Sequence, residues 1–208
     1  MEETFVVRLE RALAARRPSP VDPAGARPAA VLIPIVATPT PSLIFTVRTD
    51  TLPSHKGQIS FPGGSLDPGE TPVEAALREA SEEIGLDAAL VRVLGELETF
   101  PTYVSGYLVT PIIGWLAEAP SLMPNPAEVA AVLQVPLNDL TDEIRTEPGV
   151  DHGGVTYPTE AWVWQGHVIW GVTARVLRDL LTVLGAAGLI EPPQETDSWR
   201  RLTRVGSA

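Results

Sequence analysis

The stretch that decides the fold is Gly64-Ser-Leu-Asp-Pro-Gly-Glu70, followed after seven residues by Arg78-Glu79-Ala-Ser-Glu82-Glu83-Ile-Gly85-Leu86. If the second part is helical, Glu79, Glu82 and Glu83 are three and four positions apart, so their carboxylates share one helix face. Carboxylates this close repel one another, and a helix that carries them is expected to hold a strong cation. Oxygen ligands without an accompanying His or Cys are typical of Mg²⁺ or Mn²⁺ sites.

The residues on either side of the glutamates predict where this helix begins and ends. Thr71 can cap its start with Pro72 at the first helical position, and Gly85 can end it in a left-handed conformation. Tight turns are expected before the helix, at 61–64 and 67–69. The apolar residues form a separate stripe that would face the core: Val73, Ala76, Leu77, Ala80 and Ile84.

An acidic helix face is most often only solvated surface, and an isolated group of three glutamates would favour that interpretation. Here the glutamates have fixed companions, because the pattern G-x5-E-x7-R-E-U-x-E-E-x-G-U, with U apolar, is met over residues 64–86. This stretch resembles the Nudix hydrolase signature, with Ala80 smaller than the usual aliphatic residue. The resemblance implies metal-dependent hydrolysis of a nucleoside diphosphate linked to another group. Strands expected before and after this helix, with helices expected at both ends of the chain, predict an α/β/α sandwich around a mixed sheet.

The resemblance also implies roles for individual residues. Glu79 and Glu83 are expected to be direct metal ligands, with Glu82 as a ligand or a water-mediated contact. The carbonyl of Gly63 would be a backbone ligand. Arg78 is expected to pair with the acidic face of the helix, as part of the catalytic group with Glu82 and Glu83.

Two further assignments concern the surroundings of the metal. Glu70 is expected to orient the loop or the start of the helix rather than to bind metal. The general base is the least determined role: Glu82 is the first candidate, and Glu98 or Glu128 could serve instead. For these last two residues, an exposed surface acid is an equally good interpretation.

A second resemblance concerns the substrate. Residues 43–64 resemble the extra motif of the coenzyme A pyrophosphatase branch, L-L-T-x-R-[SA]-x3-R-x3-G-x3-F-P-G-G, on which Arg48, Gly57 and the segment 61–64 fall. Thr49 replaces a small residue, and Pro53 stands where the branch has its second arginine. Proline cannot take the place of a bidentate phosphate ligand.

The branch resemblance implies cleavage of coenzyme A into 3′,5′-ADP and 4′-phosphopantetheine, so a basic group should meet the 3′-phosphate. Arg48, Lys56 and His55 are the candidate substrate-binding residues, together with Gly64. Similarity to the branch continues at 125–129 and 169–174. The alternatives are hydrolysis of another nucleotide, such as ADP-ribose, NADH or a dinucleotide, and a non-catalytic binding module.

Composition limits the partners. The chain has 208 residues, no cysteine and a formal net charge of −11. The acidity argues against binding to nucleic acid, although bound divalent cations would allow a phosphorylated small molecule. No apolar run is long enough to span a membrane, and without a secretory signal a cytoplasmic location is expected. The sequence leaves the oligomeric state open, with a homodimer as one alternative.

The pattern of the remaining chain predicts a single domain over 1–208. Helices are expected at 4–17 and 173–184, with Thr173 as the cap of the second, and the tail after Pro192 is expected to be loosely held. Strands are expected at 29–37, 42–49, 91–100 and 107–116, a hairpin at 161–170 that turns at Gly166, and a short helical stretch at 127–133.

Overall fold

A computed structural model describes residues 2–16, 25–49, 57–102, 106–152 and 155–196. These described residues form three α-helices: α1 (Glu2–Ala15), α2 (Pro72–Ile84) and α3 (Gly171–Ala186). The strands are β1 (Arg27–Val36), β2 (Ser42–Arg48), β3 (Ile59–Ser60), β4 (Gly63–Ser65), β5 (Arg92–Glu96), β6 (Phe100–Pro101), β7 (Tyr107–Leu116), β8 (Val129–Pro136), β9 (Arg145–Thr146), β10 (Gly149–His152), β11 (Val155–Pro158), β12 (Ala161–Trp164) and β13 (His167–Trp170).

The main sheet is mixed. Its centre is a parallel pair, in which β1 and β7 are in register along their full length, from Arg27 opposite Tyr107 to Val36 opposite Leu116. The strand order is β3-β2-β1-β7-β5, and β2 also pairs with β8 in antiparallel fashion. Since a parallel pair needs a crossover connection, the chain between β1 and β7 is free to carry α2 across one face of the sheet.

Helices cover both faces of this sheet, and the alternation along β1 shows why. Leu32 and Val36 pack with α2 in one apolar cluster, whereas Ile33 and Ile35 pack with α1 and α3 in another. Successive side chains of a strand point to opposite faces, so a continuous apolar strand must be buried on both. The α/β/α sandwich around a mixed sheet predicted from the sequence is confirmed.

Within the part of the chain described, no helix combines the length and the apolar character needed to cross a membrane.

Four predictions of local structure need correction. Residues 127–133 are not helical, because Val129 begins β8 and its strand pairs with β2 over seven positions. The strand predicted at 91–100 is divided into β5 and β6. Thr173 is not a helix cap, since α3 begins two residues earlier and the Thr173 hydroxyl donates to the carbonyl of Ile59 at 2.9 Å.

The fourth correction concerns the tail, which is held in place as far as Thr196. The Gln194 N–H donates to Asp142 at 2.9 Å, and its carbonyl accepts from Arg178 at 2.6 Å and from Arg145 at 2.9 Å. The remainder of the predicted loose tail, 197–208, lies outside the described residues.

Candidate active site

The helix that carries the three glutamates begins and ends as the sequence predicts. The Thr71 side chain accepts from the Glu74 N–H, and the Glu74 carboxylate accepts from the Thr71 N–H, which together form a capping box with Pro72 after it. At the other end, Gly85 adopts the left-handed conformation. The two caps therefore fix where α2 begins and ends, and with it the direction in which the glutamate side chains point.

Arg78 is the residue through which the loop and the helix are joined. Its Nε and Nη2 atoms bind the two oxygens of Glu70 at 2.9 and 3.1 Å, in a bidentate arrangement. Its Nη1 atom donates to Glu79 at 2.9 Å and to Glu82 at 3.2 Å. These hydrogen bonds raise the pKa of Arg78. The bond to Glu70 has the largest effect and the bond to Glu79 the next largest. Each guanidinium nitrogen of Arg78 therefore binds a protein carboxylate, and Nη2 also donates to the carbonyl of Ser65 at 3.1 Å.

Glu70 orients the turn before the helix. Besides binding Arg78, its carboxylate accepts the N–H of Asp67 at 2.9 Å. The hydrogen bonds from Arg78 and then from Asp67 lower the pKa of Glu70. The role of Glu70 in orienting the metal site stays a prediction.

Glu83 is the most unusual side chain of the site. It is 4 % exposed, and its Oε2 atom is buried without a hydrogen-bond partner among the described residues. Burial is the main cause that raises the pKa of Glu83 to about 7, and the charge of Glu79 acts in the same direction. The charge of Arg48 and the backbone of Gly63 act in the opposite direction and lower the pKa. A buried carboxylate oxygen without a donor or a cation is costly, so this atom is one that a bound cation would satisfy.

The other two glutamates are less enclosed. Burial raises the pKa of Glu79 even though Arg78 binds it. Glu82 lies at the surface, with 59 % of its side chain exposed and its carboxylate directed to Arg78. The three residues thus form a gradient from a buried acid to an exposed one.

The two glycines before the helix allow the backbone to pass directly beside these acids. A Cβ atom on Gly64 would lie 2.4 Å from Oε1 of Glu79, and one on Gly63 would lie 2.3 Å from the carbonyl oxygen of Ala30. Gly63 also has a φ of 157°, and the proximity of its backbone lowers the pKa of Glu83. The metal-binding role of the Gly63 carbonyl stays a prediction.

Glu128 and Arg48 are brought to the same place from the neighbouring strands. The charge of Glu128 raises the pKa of both Glu79 and Glu83, and that of Arg48 lowers the pKa of Glu83. Arg48 ends β2 opposite Val129, the residue after Glu128, and its Nε atom is buried without a hydrogen-bond partner among the described residues. Both residues belong to the electrostatic surroundings of Glu83.

Among the other predicted site residues that the structure describes, Glu98 does not join this group. Glu98 is exposed beside α3, where its N–H donates to Asp179 at 3.4 Å, on the side of the sheet away from α2. His55 and Lys56 lie outside the described residues.

Asn125 is a residue of the site for which the sequence pattern predicts no role. Asn125 links α2 to Glu128, and the Asn-Pro pair at 125–126, a frequent start of a turn, was the available signal.

The donor set of this site suits Mg²⁺ or Mn²⁺. It consists of carboxylates without His or Cys, and it includes the buried, unpartnered Oε2 of Glu83. Among the described ranges, no three acidic or His side chains already form a group that could hold a metal ion. The arrangement explains this, because Glu79 and Glu82 are turned towards Arg78 and would have to turn to Glu83 when an ion binds.

The mixed sheet between helical layers and the glutamate-bearing helix α2 are those of the Nudix class of hydrolases. Residues 26–152 match the family model described as the NUDIX domain. The chain therefore belongs to the Nudix family, and it is a Nudix hydrolase.

Relatives agree with this assignment. The chain is 44 % identical over 156 residues, 74 % of its length and 83 % of the relative, to a protein of Photorhabdus laumondii named uncharacterized Nudix hydrolase NudL. A protein of the same name from Yersinia enterocolitica is 40 % identical over 154 residues, covering 73 % of this chain and 78 % of the relative. The crystal structure of RenU, a Nudix hydrolase from M. smegmatis, superimposes with a TM-score of 0.51 at 22 % identity, over 88 % of this chain and 87 % of that one. This last similarity concerns the fold.

Proposed function

We propose that this Nudix hydrolase uses Mg²⁺ or Mn²⁺ to hydrolyse the diphosphate linkage of coenzyme A or its derivatives. The observation that carries the hydrolytic part is the buried, unpartnered carboxylate oxygen of Glu83, with the charges of Glu79 and Glu128 beside it. Glu83 and Glu79 would hold the ion, and Glu82 would complete the set directly or through water. The bound ion would supply charge neutralisation for the diphosphate and a more acidic water.

The chain's own residues would do the remaining work. Glu128 is the best-supported base, since its charge raises the pKa of both Glu79 and Glu83, whereas Glu82 is exposed and bound by Arg78. A carboxylate oxygen of Glu128 would take a proton from the attacking water. The new P–O bond forms as the bond to the bridging oxygen breaks, and the departing phosphate keeps that oxygen. Arg78 would hold the helix and loop in place through Glu70 and Glu79, without touching the substrate.

The choice of coenzyme A rests on the resemblance of residues 43–64 to the coenzyme A pyrophosphatase branch. Pro53, which replaces the second arginine of that motif, leaves other nucleoside diphosphate derivatives as the alternative. A decisive experiment incubates the purified protein with Mn²⁺ and coenzyme A, 3′-dephospho-coenzyme A, ADP-ribose, NADH or a dinucleotide, and identifies the products by mass. We expect 3′,5′-ADP and 4′-phosphopantetheine from coenzyme A, and no products with the Glu83→Gln variant. Preferred cleavage of ADP-ribose would reassign the substrate, and cleavage of none would refute the hydrolytic proposal.

A pair of variants separates the two candidate contacts of the 3′-phosphate. Because Arg48 lies in the electrostatic surroundings of Glu83, Arg48→Gln should reduce kcat/KM for coenzyme A and for 3′-dephospho-coenzyme A alike. Lys56→Ala should instead reduce the preference for coenzyme A by about tenfold, the value of one charged contact. An unchanged preference in the Lys56 variant would exclude that residue as the 3′-phosphate ligand.

A further inference from the structure

Asn125 connects two acidic residues of the site, Glu83 and Glu128, through its backbone N–H, its backbone carbonyl and its side-chain NH₂ group. Its backbone N–H donates to the carbonyl of Glu83 at 2.8 Å, at the end of α2. Its backbone carbonyl accepts the N–H of Glu128 at 3.0 Å, and its side-chain Oδ1 accepts the N–H of Ala127 at 3.1 Å. Its side-chain Nδ2 donates to Oε1 of Glu128 at 3.3 Å. One residue therefore fixes how Glu128 stands relative to Glu83.

The same turn is held from the opposite side, at the end of β2. Thr49, which is buried, donates its N–H to the carbonyl of Glu128 at 2.9 Å and its hydroxyl to the carbonyl of Ala127 at 3.3 Å. The backbone of the turn thus has partners on α2 and at Thr49, the residue after β2. The freedom that remains lies in the Glu128 side chain, and the Asn125 amide restricts it.

We propose that Asn125 is a positioning residue for Glu128, which it holds by Oε1 so that Oε2 is directed to the attacking water. This inference rests on the proposed function, in which Glu128 is the base. A neutral amide is suited to the task, because it donates to the carboxylate without neutralising it as a cation would. The contribution would appear in kcat, since misplacing a catalytic group by about 1 Å can cost on the order of a hundredfold in rate.

A purely structural role for Asn125 would need only the turn. The turn depends on the Oδ1 acceptor, which Asp and Ser can also provide. Neither can provide the amide donor that reaches Glu128, and only Asp adds a charge. The variants Asn125→Asp and Asn125→Ser therefore keep the turn and remove the contact, with and without a new charge.

The experiment measures kcat, KM and the thermal midpoint of both variants, each also in the Glu128→Gln background. We expect kcat to fall about tenfold or more with KM within about threefold of wild type, and a midpoint close to that of wild type. In the Glu128→Gln background neither substitution should lower kcat further, because the group that Asn125 positions is already disabled. Mn²⁺ affinity of Asn125→Ser, measured by calorimetry without substrate, should stay within about threefold of wild type, since Glu79 and Glu83 are intact.

Wild-type kcat in both variants, or an equal loss of kcat with and without the Glu128 carboxylate, would overturn this role while the hydrolytic function stands. A wild-type protein that cleaves no diphosphate compound would overturn both.

Discussion

At the scale of single residues, burial makes the charged form of Glu83 unfavourable, and this effect can be measured as a pH dependence of stability. The pKa of Glu83 is about 7 in the folded protein, whereas its ordinary value is 4.5. Between these two pH values the folded protein therefore binds a proton that the unfolded chain has already lost. The favourable contribution of the protonated form is complete below about pH 4.5 and disappears as the pH rises through about 7. The metal-free protein is therefore expected to become less stable over this window.

Glu83→Gln should remove this pH dependence. The difference between the two pKa values corresponds to roughly 3 kcal/mol, so in EDTA the variant should exceed wild type in free energy of unfolding by about that amount at pH 8, and match it near pH 4.5. Turnover should be lost with the ligand. Urea unfolding at several pH values tests this, with the exposed Glu82→Gln as control. Parallel pH profiles for wild type and Glu83→Gln would contradict the argument.

The two glycines beside the acids should respond differently to a methyl group. On Gly64 it would meet the end of the flexible Glu79 side chain, which can move away. Gly64→Ala should therefore cost about 1 kcal/mol or less in stability and displace a metal ligand, so that Mn²⁺ affinity falls. On Gly63 it would meet the backbone of Ala30 in a conformation that L-residues rarely adopt, and Gly63→Ala should cost about 3 kcal/mol or more. Calorimetry and urea unfolding measure both, and equal stability losses would refute the distinction.

At the scale of elements, the start of α2 separates stability from activity. Thr71→Ala removes the capping side chain and should lower the free energy of unfolding by about 1 kcal/mol. The same variant should keep kcat/KM near wild type, because Glu79 and Glu83 lie two to three turns further along. Thr71→Ser keeps the hydroxyl and is the matched control. A large loss of kcat/KM in Thr71→Ala, with Thr71→Ser unaffected, would show that the cap also shapes the metal site.

This helix and β8 show what the sequence can and cannot predict about elements. The limits of α2 could be predicted because Thr71, Pro72 and Gly85 act locally, on their own backbone. The stretch 127–133 was predicted as helical since Ala, Glu and Leu favour helices, but its state is decided by pairing with β2, more than eighty residues away. For the same reason the sequence could indicate Glu128 as a candidate but not its bond to Asn125.

At the scale of the whole molecule, the apolar pattern predicted a mixed sheet between helices, but it did not predict the charged group that holds the tail. Arg178 is 2 % exposed on α3, with its guanidinium 3.5 Å from Glu160. Burial lowers the pKa of Arg178, while the charge of Glu160 opposes that effect. The Thr196 hydroxyl also binds Glu160, so the C-terminal segment closes over a buried ion pair. Such pairing brings distant residues together and leaves no periodic trace in the sequence.

The last prediction concerns the ion pair between Arg178 and Glu160. Glu160→Ala leaves the Arg178 charge buried without its carboxylate, and should lower the free energy of unfolding by about 3 kcal/mol. Arg178→Met alone should be destabilising for the converse reason. The double variant should recover much of the loss, because an apolar side chain of similar length needs no counter-charge. Urea unfolding of the four proteins measures this coupling. The kcat of the folded variants should stay near wild type, since Arg178 lies on α3 and Glu160 on the connection between β11 and β12, not on α2. Additive losses in the double variant would mean that the two residues stabilise the tail independently.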